Sequence, residues 1–396
     1  MKKTVIFGAG QIGRGFIGDI CSSSNYHLVF IDVSKQVVDL LNLKREYPVW
    51  LLGERKIEKK VDNLRAMSFT QSGDIAEEIS DVDIVFTAVG ANNLSLLSPV
   101  IAEGLKIKSR KNKGYCNIVI CENLLGSAEV LRKNIIKNLS PSETAYMKEN
   151  VGFVETVVSR MVAPLSDELR KKEPLLVTVE PYNILPVAKN SFKGEIPAVK
   201  GFYPVENIYP YEELKLFVHN LAHASLAYTG FQMGYEFIWE CMEDRRLLGI
   251  MEGVTEETKS AIIKKHVFDR KEVENYISDL FMRFRNKALN DTVWRVGRDP
   301  LRKIGPNERI SGGMKMCLRE GIFPENICFV MASCLCYNYQ DDKNALFLQL
   351  TLRDKGIDYV LRNISGIEDE RIICEVKNRY NEIKERKSDS GNFKEA

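Results

Sequence analysis

Six residues near the start, Gly8-Ala9-Gly10-Gln11-Ile12-Gly13, constrain this chain more than any others. They form a complete G-x-G-x-x-G directly after a short apolar run, Thr4–Phe7, that suits a buried parallel strand. Ile12, Phe16, Ile17 and Ile20 follow at helical spacing. In a strand–turn–helix each glycine has its own task. Gly8 permits the tight turn, Gly10 admits a pyrophosphate to the backbone, and Gly13 lets the helix pack on the strand. The helix start adds free N–H groups and partial positive charge for the phosphates. A second apolar run, HLVFID, ends on Asp32, nineteen residues after Gly13. A carboxylate there accepts hydrogen bonds from the adenosine ribose and repels a 2′-phosphate, which favours NAD over NADP as cofactor. No G-x-x-x-x-G-K-[ST] occurs, which excludes a P-loop.

Further runs fit a doubly wound sheet. DIVFTAVG, residues 83–90, ends in small residues where a nucleotide would lie, with Ala88 and Val89 as cofactor contacts. NIVICEN, residues 117–123, ends on Asn123, at a strand end that faces the ligand crevice. A cap for a helix starting near Leu124 is an equal reading of Asn123. VGFVETVVSRMV and EPLLVTVEPYNI are expected to extend the sheet. Strand signals largely stop after FKGEIPAVKG. Helical patterns then cover 210–229, 231–241, 243–266, 270–287 and several stretches from 326 on. The expected fold is therefore α/β: a Rossmann-type, mostly parallel sheet over residues 1–190, then an all-α domain over 191–396. The polar end KERKSDSGNFKEA is expected to fray.

Composition narrows the function class. A length of 396 residues with 44% hydrophobic residues allows two domains with sizeable cores. The net charge of +2 implies no general attraction to nucleic acid or acidic membranes. No run approaches the length of a bilayer span, and MKKTVIFGAG enters a strand without the pattern of a signal peptide. A cytoplasmic enzyme acting on a small molecule is expected. The nine cysteines, odd in number and set among apolar neighbours, read as core residues in a reducing compartment. Cys334 and Cys336 make a C-x-C, but no second pair has zinc-finger spacing and no histidine is near in sequence, so no metal is expected.

The chemistry is expected on PYEELKLFVHNLAHASLAYTG, residues 210–230, which reads as one amphipathic helix. In an α-helix Asn220 is rotated about 140° from Lys215 and His223 about 80°, so the three share one broad face. Asn220 and His223, three apart, can touch. An exposed lysine beside a core histidine is the plainer reading. Against it, oxidation of an alcohol with NAD requires a group to take the hydroxyl proton. A desolvated, neutral Lys215 can do so, while Asn220 can hold the developing alkoxide. RVGRDPLRK clusters Arg295, Arg298, Arg302 and Lys303, the best candidates for a substrate phosphate, since guanidinium groups bind phosphate through paired hydrogen bonds.

These segments together resemble the mannitol dehydrogenase family, the polyol-specific long-chain dehydrogenases/reductases. The resemblance runs through GAGQIGRGF, CENLLGS, VGFVETVVSRMV and the K-x-x-x-x-N-x-x-H of Lys215, Asn220 and His223. RVGRDPLRKI and the following Arg309 are similar to the branch that uses phosphate esters. The resemblance implies a metal-free, NAD-linked interconversion of mannitol 1-phosphate and fructose 6-phosphate by a monomer. It implies Lys215 as general acid/base, Asn220 and Asn123 as donors to the substrate oxygen, and His223 as the residue that orients substrate. Free polyols and the hexuronates tagaturonate and fructuronate are the alternative substrates, because the same catalytic residues serve them. A silent NAD-binding redox sensor is a remote alternative. One departure concerns substrate choice: where members commonly carry V-D-R-I, this chain has Val158-Ser159-Arg160-Met161.

Overall fold

Short, fully apolar runs separated by helical segments build a parallel sheet buried on both faces. The computed structural model describes residues 2–111 and 114–391, with side chains to residue 386. The chain forms two units, Met1–Glu212 and Glu213–Ala396.

The first unit contains β1 (Lys3–Phe7), β2 (His27–Asp32), β3 (Tyr47–Leu52), β4 (Lys56–Val61), β5 (Leu64–Ser68), β6 (Ile84–Thr87), β7 (Cys116–Ile120), β8 (Val151–Glu155), β9 (Val177–Val179), β10 (Leu185–Ala188) and β11 (Phe202–Val205). Six of them form one sheet in the order β5-β2-β1-β6-β7-β8. Every pairing in it is parallel. The order reverses between β1 and β6, so the crevice at their carboxyl ends is the place where such sheets bind ligands. Apolar clusters cover both faces of this sheet.

Two expectations about this unit need correction. The run EPLLVTVEPYNI does not extend the main sheet. Its β9 pairs with β3 in a separate three-stranded sheet, order β4-β3-β9. The all-α region does not begin at residue 191 either. β11 lies beyond that point, pairs with β10, and keeps the first unit going to Glu212.

The second unit is helical. A continuous helix over 209–233 is α at Tyr209–Glu213, π at Leu214–His219 and α again at Asn220–Met233. It stops at Gly234, which takes the left-handed conformation (φ 80°) of a helix C-terminus. The helix expected over 231–241 is therefore broken: Phe231–Met233 end the preceding helix, Phe237 is extended and bridges Thr292, and helix resumes over Ile238–Cys241. Longer helices follow at Arg245–His266, Arg270–Phe284, Arg309–Arg319, Glu325–Leu335 and Lys343–Tyr359. A last helix, Glu370–Gly391, takes in much of the stretch expected to fray, and residues 392–396 lie outside the described residues. Eight cysteines are buried in the two units, whereas Cys374 is exposed, unlike the core position expected for all nine.

Candidate active site

In the first unit the residues expected at a nucleotide meet at the carboxyl ends of β1, β2 and β6. Gly8 has φ +93°, and a Cβ there would collide with the carbonyl of Ala88. A side chain at Gly13 would run into the carbonyl of Gly8. Gly10 differs: it is exposed, and nothing lies within 4 Å of where its Cβ would be. The backbone there is open to a ligand, flanked by exposed Gln11 and half-buried Ile12. Asp32 locks the turn. Its Oδ2 accepts the Ala9 amide at 2.7 Å and its Oδ1 accepts the Ser34 amide at 2.8 Å. Arg14, buried behind the turn, donates to the Ala9 carbonyl at 2.7 Å.

Ala88 continues the sheet by donating to the Phe7 carbonyl at 2.8 Å. The next two amides, Val89 and Gly90, donate to Oε1 and Oε2 of Glu122 at 2.8 and 2.9 Å. Glu122 is buried, and burial raises its pKa against the pull of those two amides. Asn123, next to it, is exposed three residues past β7. The following helix begins at Ser127, and its N-cap is Gly126 without a side-chain bond, so Asn123 is not a cap. Ser159 is buried. Its neighbour Arg160 donates to the Gly15 carbonyl, Asp19 and the Glu180 carbonyl at 2.8–2.9 Å.

In the second unit the 209–233 helix shows one open stripe. From Glu213 to Gly230 every residue is buried except Lys215, Leu216, Asn220 and His223. The π segment aligns them. The Asn220 amide bonds to the carbonyl of Lys215, five residues back, and this wider turn brings Asn220 nearer the face of Lys215 than an α-helix would. His219, between them in sequence, is buried, and its ring packs edge-on to Phe284 at 5.8 Å. Burial, with Arg283 and other cations near, pushes its pKa well below the ordinary value, so it stays neutral. His223 stacks on Phe284 at 4.7 Å and 23°. Its Nε2 lies 3.1 Å from Oδ2 of Asp291.

The four phosphate candidates have different fates. Val293–Gly297 and Pro300–Lys303 are short helices, so little of the segment is loop. Arg295 is held by Asp291, with Nε at 2.8 Å and a terminal nitrogen at 2.7 Å from Oδ1. Arg302 pairs with Asp299 at 3.0 Å and with Glu308 at 3.4 Å. Lys303 is buried and donates to the Arg298 carbonyl. The Arg298 side chain is exposed and makes no ion pair among the described residues.

Comparison with known proteins agrees with this layout. The Rossmann-domain model of the mannitol dehydrogenases matches residues 2–201, and the model of their C-terminal domain matches residues 207–387. The chain belongs to the mannitol dehydrogenase family. Among relatives, a mannitol-1-phosphate 5-dehydrogenase of Caldanaerobacter subterraneus subsp. tengcongensis is 34% identical over 385 residues, covering 97% of this chain and 99% of the relative. One from Clostridium acetobutylicum is 35% identical over 383 residues, covering 96% and 99%. One from Bacillus subtilis is 36% identical over 363 residues, covering 91% and 95%. Among solved structures, Pseudomonas fluorescens mannitol 2-dehydrogenase, in a ternary complex with NAD and D-mannitol, matches with a TM-score of 0.76 at 16% identity, covering 97% of this chain and 92% of that one. Likeness at that identity shows the fold.

Within this mannitol dehydrogenase family chain, three neighbours of the candidate site residues escape a reading of the sequence. Glu122 adjoins a quoted motif residue, and its acidity next to a strand end is the signal that could have found it. Arg14 directly follows the glycine motif, but only the fold shows that it faces inward. Asp291 belongs to no motif and is 68 residues from the histidine it contacts.

Proposed function

We propose that this chain is an NAD-dependent polyol-phosphate dehydrogenase that interconverts D-mannitol 1-phosphate and D-fructose 6-phosphate. The observation that carries the reading is the half-buried stripe of Lys215, Asn220 and His223, with Leu216 beside it, on a helix whose other residues from Glu213 to Gly230 are buried. A solvated surface helix would scatter polar groups over a broad wet face, whereas this one exposes a candidate base and two hydrogen-bonding side chains along a single line.

The first unit fits the cofactor. Gly10 leaves open space for a pyrophosphate, Gly8 and Gly13 keep the turn tight, and the Asp32 carboxylate stands where it can accept from a ribose. When bound, NAD supplies the hydride acceptor for polyol oxidation and the donor for ketose reduction. Lys215, as the neutral amine, takes the proton from the reacting hydroxyl and returns it in the reverse direction. The Asn220 amide donates to the same oxygen as negative charge develops on it. His223 orients a neighbouring hydroxyl. Asn123, which the family resemblance pairs with Asn220, stands exposed beyond β7. Arg298 takes the phosphate. Among the described residues no helix is long and apolar enough to cross a membrane. We read the enzyme as a cytoplasmic monomer, and the net charge of +2 supports no role in nucleic-acid binding.

The test is NADH oxidation with fructose 6-phosphate, fructose, fructuronate and tagaturonate. Fructose 6-phosphate should exceed the others in kcat/KM by at least roughly tenfold, the scale of one hydrogen bond to a charged group. Equal or better turnover of an unphosphorylated ketose would overturn the assignment.

A further inference from the structure

His223, a member of the open stripe, has a carboxylate at its back. Nε2 of His223 is buried, and Asp291 Oδ2 lies 3.1 Å from it, off the line of a straight hydrogen bond. Among the described residues nothing hydrogen-bonds Nδ1, and the side chain keeps 17% of its surface exposed.

Asp291 is itself held from three sides. Two nitrogens of Arg295 grip its Oδ1 at 2.7–2.8 Å. Its backbone carbonyl accepts the Ile238 amide at 2.9 Å. The Val293 amide donates to the Glu236 carbonyl at 2.9 Å, and Thr292 bridges Phe237, so the chain on its C-terminal side is pinned as well. Stacking on Phe284 limits rotation of the imidazole. Burial pushes the Asp291 carboxyl up, but His223 and Arg295 outweigh burial and hold it below the usual range. It is therefore an ionised carboxylate, which can only accept hydrogen bonds.

We propose that Asp291 is the positioning residue for His223: in the ring's neutral form it selects the Nε2–H tautomer, and Arg295 serves by holding Asp291 rather than by binding the substrate phosphate. The consequence rests on the dehydrogenase reading above. With the proton on Nε2, Nδ1 is an acceptor. The substrate hydroxyl that meets His223 must then donate to it, which selects a hydroxyl over an ether or a carbonyl at that carbon.

Asp291→Asn tests this sharply. Arg295 has only donors and claims the amide oxygen of the new asparagine. The –NH₂ group then faces His223 Nε2, which must become the acceptor, and the proton moves to Nδ1. Protein labelled with ¹⁵N-histidine, with His223→Gln used to assign the signal, should show Nε2–H for His223 in the wild type and Nδ1–H in Asp291→Asn. The variant should lose roughly 10²–10³ in kcat/KM for fructose 6-phosphate while its affinity for NADH stays within twofold. An Nδ1–H tautomer in the wild-type enzyme overturns the proposal, whatever the variant does. So does an Asp291→Asn enzyme that inverts the tautomer and keeps its kcat/KM. The tautomer is read without substrate, so failure of the fructose 6-phosphate assignment would appear separately, as absent turnover with an unaltered wild-type spectrum.

Discussion

The carbonyl of Lys215 accepts the backbone amide of Asn220, five residues on. A regular α-helix would place these two side chains about 140° apart, and a ligand oxygen could hardly meet both. The i→i+5 turn brings them closer to one line, after which ordinary α geometry carries the line three residues further to His223. A π segment costs good α hydrogen bonding, and such segments occur often at functional sites. Here it brings Lys215 and Asn220 closer to one face of the helix.

The first expected outcome follows from that alignment. Lys215→Ala should lower kcat for polyol-phosphate oxidation by about 10²–10⁴, the usual range for a lost general base. Lys215→Arg should not restore it, because a guanidinium does not deprotonate in proteins. NADH affinity, read by fluorescence titration, should stay near the wild-type value, since the glycine turn and Asp32 belong to the other unit. Near-normal turnover in Lys215→Ala would reduce the lysine to a surface residue.

Asp32 should set cofactor choice. A 2′-phosphate beside its carboxylate meets like charge, a contact that costs several kcal/mol. The ratio of kcat/KM values for NADH over NADPH should therefore be at least roughly 10² in the wild type. Asp32→Ala should narrow that ratio mainly by weakening NADH, because the substitution also frees the Ala9 and Ser34 amides that the carboxylate holds. Equal efficiency with both cofactors in the wild type would refute this reading.

What the sequence shows of this protein depends on how local the determinant is. The glycine turn, β1, β2, β6 and β7 are written in contiguous runs, and they sit where those runs predict. The fate of β9 is not local. A buried apolar run of three or four residues looks the same whichever sheet it joins, and only its pairing with β3, more than a hundred residues earlier, assigns it to the small sheet. The break at Gly234 is legible as a glycine past a helix end, but the apolar residues after it argue for more helix and mask the stop. Lys215, Asn220 and His223 are legible as a spacing, whereas the π turn that makes the spacing work has no compositional signature. The basic segment shows the same limit. Four cations in nine residues announce a phosphate site, but Asp291, Asp299 and Glu308 decide which remain available, and those pairings belong to tertiary structure.

On the proposed function, the exposed Arg298 is the candidate for the substrate phosphate. Arg298→Ala should raise KM for fructose 6-phosphate about 10- to 100-fold, corresponding to a lost charge-assisted hydrogen bond of roughly 1.5–3 kcal/mol. Its kcat should change little, because the phosphate is remote from the reacting carbon and binds alike in ground and transition states. Arg295→Ala should behave oppositely and act on kcat through Asp291. Steady-state kinetics of both variants would separate them. An unchanged KM in Arg298→Ala would move the phosphate elsewhere.

Lys303 makes a prediction about stability rather than rate. Burial, with Arg309 and Arg302 close by, lowers its pKa from 10.5 to about 7. The unfolded chain should titrate near the unperturbed value of about 10.4. Between those two values the unfolded state holds one more proton than the folded state, so this group makes stability rise with pH across that window. Below about pH 7 both states are protonated and the contribution is lost. The full linkage is at most about 5 kcal/mol. Lys303→Met keeps most of the volume and removes the titration, at the cost of leaving the Arg298 carbonyl without its donor. Urea denaturation at pH 7, 8 and 9 should therefore show the difference, wild type minus variant, growing more favourable to the wild type as pH rises. The buried thiols of Cys116, Cys241, Cys317 and Cys334, pushed up to about 12, work in the opposite direction at the alkaline end. They are present in both proteins and largely cancel in the difference. A difference that stays flat from pH 7 to 9 would mean that Lys303 keeps its charge inside the fold.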